Sequence, residues 1–246
     1  MRTLRRLVVA VTAGAIIVTG STLATTVQAA GSTAEQVVAD HTSIYSGKIA
    51  ELVNAGWAPC AGPVTWSVDP GTLTASQVSQ ETARLQRAFG TWSAATGLDF
   101  RFAGLQTMAV DEPGLQVGPA DGSPARPRHI YVAFRGSEVV PAFVNTVYGY
   151  AAPTLADRAT RQITGGYVLI RTDHVLTAAS SDPRSLRSLY VHELGHVLGL
   201  GHAQREENVM YPIVTDQLQL GAGDVAGVRQ LLTGCSVQIP GPPGAP

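Results

Sequence analysis

Apolar residues recur along the chain with two periods, and each period predicts its own elements. Val78, Leu85, Phe89 and Trp92 are spaced by seven, four and three. That spacing puts them on one face of a helix over Thr74–Thr96, which Gly97 should stop. Strands are predicted at Val64–Val68, closed by the turn tripeptide Asp69-Pro70-Gly71, and at Leu98–Phe102, where apolar and polar residues alternate. His129–Phe134, Val144–Tyr150 and Tyr167–Arg171 read as three more strands. Residues 103–128 are rich in Gly, Pro and Asp and read as one long loop; Asp173-His174 reads as a turn. Asp182-Pro183 supplies an N-cap and a first-turn proline for a second long helix, and a last helix covers about Asp224–Leu232. Residues 30–56 carry Val37, Val38, Ile44, Ile49, Leu52 and Val53 at loose helical spacing. An N-terminal arm and a short pro-segment both fit that stretch. The tail 237–246 is too rich in proline to fold and is expected to be disordered. There are no internal repeats, and the order of elements is α+β rather than strict βα alternation.

The first thirty residues add an address. Arg2, Arg5 and Arg6 precede an apolar run from Leu7 to Val18. This is the length of a signal-peptide core and is short for a membrane span. Val27-Gln28-Ala29 fits a small-x-small cleavage rule, so residues 1–29 are expected to be a signal peptide, with Ala30 as the neighbouring cut and an uncleaved anchor as the competing reading. No other segment holds 18 consecutive apolar residues. The expected product is secreted and extracellular, without stable membrane association, and monomeric. Composition agrees: 45% hydrophobic and 14% charged residues over 246 positions exclude global disorder. The net charge of -1 becomes -4 once three arginines leave with the signal. With one lysine, Lys48, and dispersed arginines, a dedicated nucleic-acid binder is excluded. Two cysteines are too few for a disulfide scaffold or a four-cysteine zinc module.

The chemistry is concentrated in the helix after Pro183. It contains His192-Glu193-Leu194-Gly195-His196-Val197-Leu198-Gly199-Leu200-Gly201-His202, the pattern H-E-x-x-H-x-x-G-x-x-H. His192 and His196, four apart, project from one helical face and can share a zinc ion. Glu193 can reach a water on that metal. Gly199 lets the chain leave the helix so that His202 comes round as a third ligand. Three protein ligands leave one position open, as in catalytic rather than structural zinc sites. From the frequencies of His, Glu and Gly in the chain, a chance match somewhere along it has odds on the order of 10⁻⁵. Three hydrogen-bonded histidines on a helix are the alternative.

These residues resemble the metzincins and, within them, the matrixins. Met210, in Asn208-Val209-Met210-Tyr211-Pro212, is similar to the matrixin Met-turn; Gly223–Arg229 resembles the start of that family's last helix, and Ala94–Phe100 the end of its first helix. The resemblance implies a metzincin-like fold over residues 57–236: a twisted mixed sheet above an active-site helix, with a C-terminal helix. It implies one catalytic Zn²⁺ on His192, His196 and His202, Glu193 as general base, and Met210 packed beneath the metal. The implied activity is a secreted zinc endopeptidase acting on protein or peptide substrates, with a binding or adhesion module carrying a vestigial zinc site as the alternative. The stretch Tyr211–Leu220 would wall the pocket for the residue after the scissile bond. Matrixins often hold a second zinc and Ca²⁺. Here Asp111, Glu112, Asp121, His129, Asp157, Asp173 and His174 show no matching ligand pattern, so Ca²⁺ is unsupported and the acids are read as solvated. No downstream propeller-like domain is expected.

Two readings of the cysteines follow. Ala58–Pro63 faintly resembles the segment whose thiolate keeps matrixin zymogens latent, but Pro59 stands where the family has Arg and Val64 where it has Asp. The favoured reading is a Cys60–Cys235 disulfide, since an exported chain with an even cysteine count favours pairing. Closing that loop stabilises by at most about 5 kcal/mol.

Overall fold

The computed structural model describes residues 7–8, 39–111 and 116–234. The signal segment apart from Leu7–Val8, residues 30–38, the tail 237–246 and Cys235 lie outside the described residues. The strands are β1 (Leu7–Val8), β2 (Val64–Asp69), β3 (Phe100–Leu105), β4 (Met108–Asp111), β5 (Gln116–Pro119), β6 (His129–Arg135), β7 (Gly149–Asp157), β8 (Gln162–Arg171) and β9 (Ile213–Val214). The longer helices are α1 (Ala75–Thr96), α2 (Thr172–Ser181), α3 (Pro183–Val197) and α4 (Ala222–Leu231).

One five-stranded sheet in the order β3-β2-β6-β8-β7 organises the molecule. β2 pairs in parallel with β3 and β6, β6 with β8, and only the edge strand β7 runs antiparallel. Parallel strands buried on both faces need apolar residues at successive positions. β6 meets this need: Ile130, Val132 and Phe134 face the helical layer, while Tyr131 and Ala133 enter a second core on the opposite face. The helical layer is joined to the sheet through Trp66, stacked on Phe89 of α1 with ring centroids 4.5 Å apart. α1 starts in a capping box, with Thr74 N–H donating to Gln77 Oε1 at 2.8 Å, and it ends at Gly97 in the left-handed region. The expected α+β architecture, a mixed sheet over the motif-bearing helix with a C-terminal helix, is the one observed.

Three local expectations are corrected. The stretch 103–128 is not one loop: β4 and β5 form an antiparallel hairpin whose Met108 and Val117 cover the second core. A doubly buried β6 requires such a cover. The strand expected at Val144–Tyr150 begins only at Gly149, because Val144–Val147 is turn, with Val147 N–H bonded to Val144 O at 3.0 Å. β7 hides its strand character in Gly, Ala and Pro, and Pro153 is tolerated because β7 is an edge strand with an irregular register there. Asp173-His174 is not a turn but the first turn of α2, with Asp173 paired to Arg171 at 2.8 Å.

Asp69 fastens this frame. Its carboxylate accepts from Arg135 Nη2 at 2.5 Å, Met108 N at 2.7 Å and Gly71 N at 3.0 Å, joining β2, β6 and the hairpin. Burial alone would raise its pKa. The Arg135 hydrogen bond and the two backbone donors outweigh burial and hold it below the ordinary carboxylate value. A depressed folded-state pKa means that this contribution is present above the unfolded value near pH 4 and is lost as pH falls through the folded one. Asp69→Ala should therefore cost about 3 kcal/mol. Urea unfolding of both proteins at neutral pH and below pH 3 should show the gap closing on acidification.

Candidate active site

α3 starts cleanly and ends in a controlled break. Asp182 caps it, its carboxylate accepting from Ser185 N at 3.1 Å, with Pro183 in the first turn. At the other end the four orphan carbonyls all find donors. Leu194 O accepts from Leu198 N, Gly195 O from Leu200 N and His196 O from Gly199 N, each at 3.0 Å. Val197 O accepts from the Trp57 indole at 2.9 Å. Gly199 has φ +103°, a conformation that other residues rarely adopt, and it turns the chain back toward the helix.

This break brings His202 beside His192 and His196. Their ligand nitrogens all lie within 4.8 Å of one another, the one cluster of three or more such groups among the described residues. His192 Nδ1 lies 2.7 Å from Val209 O and His196 Nδ1 lies 2.8 Å from Leu200 O. Carbonyls only accept, so both Nδ1 atoms carry the hydrogen, and both Nε2 atoms present lone pairs 3.1 Å apart. His202 Nε2 is buried with no partner. Burial opposes protonation of all three, and histidine neighbours add to it at His192 and His196: His192 is pushed down to about 3, His196 well below its ordinary value and His202 below it. Three neutral imidazoles with converging lone pairs and nothing to donate to them fit a divalent cation of zinc type.

Glu193 lies alongside. It is fully buried, neither carboxylate oxygen has a partner, and burial raises its pKa well above normal. The carboxylate rests against the first residue of β7, where a β-carbon on Gly149 would come within 2.3 Å of Glu193 Oε1. Met210 is also buried; a β-carbon on Gly195 of α3 would meet its sulfur at 2.2 Å, so the thioether packs directly on the helix that carries the histidines.

The other candidates separate from this centre. His129 is a core residue held between the hydroxyls of Thr65 and Ser67 at 2.7 and 2.8 Å. His174 packs on the Tyr148 ring at 3.8 Å. Asp121, Asp157 and Asp173 are exposed, as read from the sequence; of the side chains of Asp111 and Glu112 nothing is described. Cys60 Sγ lies 3.5 Å from the carbonyl of Gly234, the residue before Cys235.

Residues that the motif does not contain brace the site. Asp224 accepts from Val209 N at 2.7 Å, Met210 N at 3.1 Å and Gly221 N at 2.8 Å, tying the turn of Met210 to α4. Asp40 accepts from Gln204 N at 2.8 Å, Arg205 N at 2.9 Å and Asn208 Nδ2 at 2.7 Å. Thr42 donates to His202 O at 2.8 Å and accepts from Gly201 N at 2.7 Å. No sequence signal marked Asp40 or Thr42, because their partners lie about 160 residues away.

Comparisons with known proteins agree with this geometry. The family model described as Matrixin matches residues 145–233, the span from before β7 to after α4. The chain is matrixin-like. It is 27% identical over 184 residues to metalloendoproteinase 2-MMP of Arabidopsis thaliana, covering 71% of this chain and 42% of that protein. It is 44% identical over 62 residues to metalloendoproteinase 1-MMP of the same plant, covering 24% and 17%. With matrix metalloproteinase-19 of Mus musculus it shares 26% over 165 residues, covering 66% and 26%. The chain thus spans less than half the length of the curated relatives it matches.

Asp40 offers a direct check on the bracing. Asp40→Ala strands three donors at a half-buried position and should cost about 1–3 kcal/mol. Amide hydrogen exchange should speed up at Gln204, Arg205 and Gly201 while the β6–β8 amides keep their protection.

Proposed function

We propose that the chain is a secreted zinc endopeptidase in which His192, His196 and His202 hold the metal and Glu193 is the general base. The observation that carries the reading is the convergence of unpaired acceptors: two facing Nε2 atoms, the orphaned Nε2 of His202 and a buried, partnerless carboxylate. A bound zinc ion would lower the pKa of a water and polarise the scissile carbonyl. Burial alone favours the neutral acid of Glu193; a zinc cation beside it would favour the carboxylate, and as the carboxylate Glu193 would accept the proton of the attacking water and deliver it to the leaving amine. Val209 O and Leu200 O keep the two ligand tautomers fixed. β7 is an edge strand and starts at the carboxylate, so an extended peptide can add to it as a further strand. Met210 supports the metal-bearing helix from below and does not ligate. The Tyr211–Leu220 stretch, with buried Val214, forms the apolar pocket for the residue after the bond. No described helix is long and apolar enough to cross a membrane.

Glu193→Ala should retain zinc near one per chain and lose about 10²- to 10⁴-fold in peptide turnover. His196→Ala should lose both metal and turnover. Zinc stoichiometry and cleavage of a quenched peptide library, with and without chelator, check the pair. Near-wild-type turnover by Glu193→Ala excludes the mechanism, and bound zinc without turnover in the parent protein favours the vestigial binding module.

The disulfide belongs to the same proposal. The position of Cys60 beside Gly234 supports its pairing with Cys235. Peptide mapping of medium-derived protein without reductant should recover the two cysteine peptides joined; two alkylatable thiols in native protein would return the latency-thiol reading.

A further inference from the structure

The segment between Asp40 and Trp57 does more than brace the His202 loop. Ser43 bridges to Leu200, and Ile44 N–H donates to Gly199 O at 2.8 Å, so the segment runs beside the chain that leads to the third histidine. It then crosses toward the edge strand and reaches the start of β8, where Gly56 N–H donates to Arg161 O at 3.1 Å. Two cavities result. One, of about 250 Å³, lies between Thr42, Ile44, Lys48 and the rings of His196 and His202. The other, of about 170 Å³, lies between Ile44, Lys48 and the Tyr150–Pro153 stretch of β7. Ile44 and Lys48 line both, so one groove leads from the histidines to the outer edge of the sheet. Among the described residues, the backbone bonds of the segment go to Gly199, Gly201, Arg161, Ile163 and Thr233 and none goes to β7, which leaves that strand edge open to an added strand.

The charge of the groove is one-sided. Apart from the histidines, Lys48 is the single ionisable cation lining either cavity, no carboxylate lines either of them, and none is paired with Lys48 among the described residues. We propose that residues 42–49 form one wall of the substrate groove and that Lys48 selects peptides with an acidic side chain on the flank of the scissile bond that passes over His196 and His202. The proposal rests on the peptidase reading and adds a substrate class to it.

The test uses zinc-loaded full-length secreted protein and quenched peptides that carry Asp or Asn in turn at the three positions on each side of the cleaved bond. Asp should raise kcat/KM about three- to fivefold over Asn at one position, on one side only, and less as salt is added. Lys48→Arg should keep the preference and Lys48→Glu should reverse it toward basic peptides. Equal profiles for wild type and Lys48→Glu overturn the proposal and leave the peptidase reading intact. N-terminal sequencing that finds the active species without Lys48 also overturns it. Anisotropy binding of the same peptides to Glu193→Gln separates the two readings. Lys48-dependent binding of Asp peptides by a protein that cleaves nothing retains the groove and removes the peptidase. Neither binding nor cleavage removes both.

Discussion

A row of polar side chains sealed inside the protein, His192, Glu193 and His196 on one helix, is the constraint that the rest of the structure answers. Placing such groups away from water costs several kcal/mol unless each finds a partner. The backbone supplies half the answer: two carbonyls take the Nδ1 hydrogens and leave the Nε2 lone pairs facing one another. What remains is repulsion between acceptors, which a bound cation would remove. The helix tolerates the load because its far side is held elsewhere. The Trp92 indole donates to Val191 O at 2.8 Å, and Tyr190 donates to the buried carboxylate of Glu81 at 2.6 Å. Those contacts join α3 to α1, and α1 to the sheet through Phe89 on Trp66.

The same logic explains the buried polar groups at the turn of Met210. Asp224 and Asn208 have no catalytic geometry, yet both are buried and fully used. Asp224 gathers three backbone N–H groups at the turn of Met210, and Asn208 Oδ1 accepts from Gly223 N at 3.1 Å while its amide donates to Asp40. Val209, whose carbonyl fixes the His192 tautomer, therefore hangs from Asp224 by its own N–H. A substitution at Asp224 would be felt at His192 through two hydrogen bonds and one residue, Val209.

What was legible in the sequence follows from how local its cause is. The Gly97 stop of α1, the Asp182-Pro183 start and the convergence of His192, His196 and His202 depend on residues within a few positions of each other, and all three are found where the sequence puts them. The edge strand β7 was displaced by several residues in the reading because Gly149, Ala151, Ala152 and Pro153 have weak strand propensity, and pairing with β8 makes the strand. The β4–β5 hairpin was missed because its cause is the uncovered face of β6, which no local pattern displays. Gly149 illustrates the limit at the site itself: the sequence places it within a strand, and only the carboxylate packed against it explains why no side chain fits.

The arm shows how far tertiary context reaches. Sequence spacing left residues 30–56 open between an arm and a removable pro-segment, and the packing of residues 40–57 bears on that choice. A β-carbon on Gly201 would meet Thr42 Oγ1 at 2.4 Å, and one on Gly223 would meet Asp40 O at 2.2 Å, so the arm lies in a trough that larger residues would fill. Leu52, Ala55 and Trp57 are in the main core, and Trp57 satisfies the last carbonyl of α3. Excision as far as residue 56 would strip Asp40 from three donors, uncover Gly199–Gly201 and open the core beside the third histidine. Residues 40–57 are thus held to the domain by core packing as well as by hydrogen bonds, a tertiary fact that their loose helical spacing does not display.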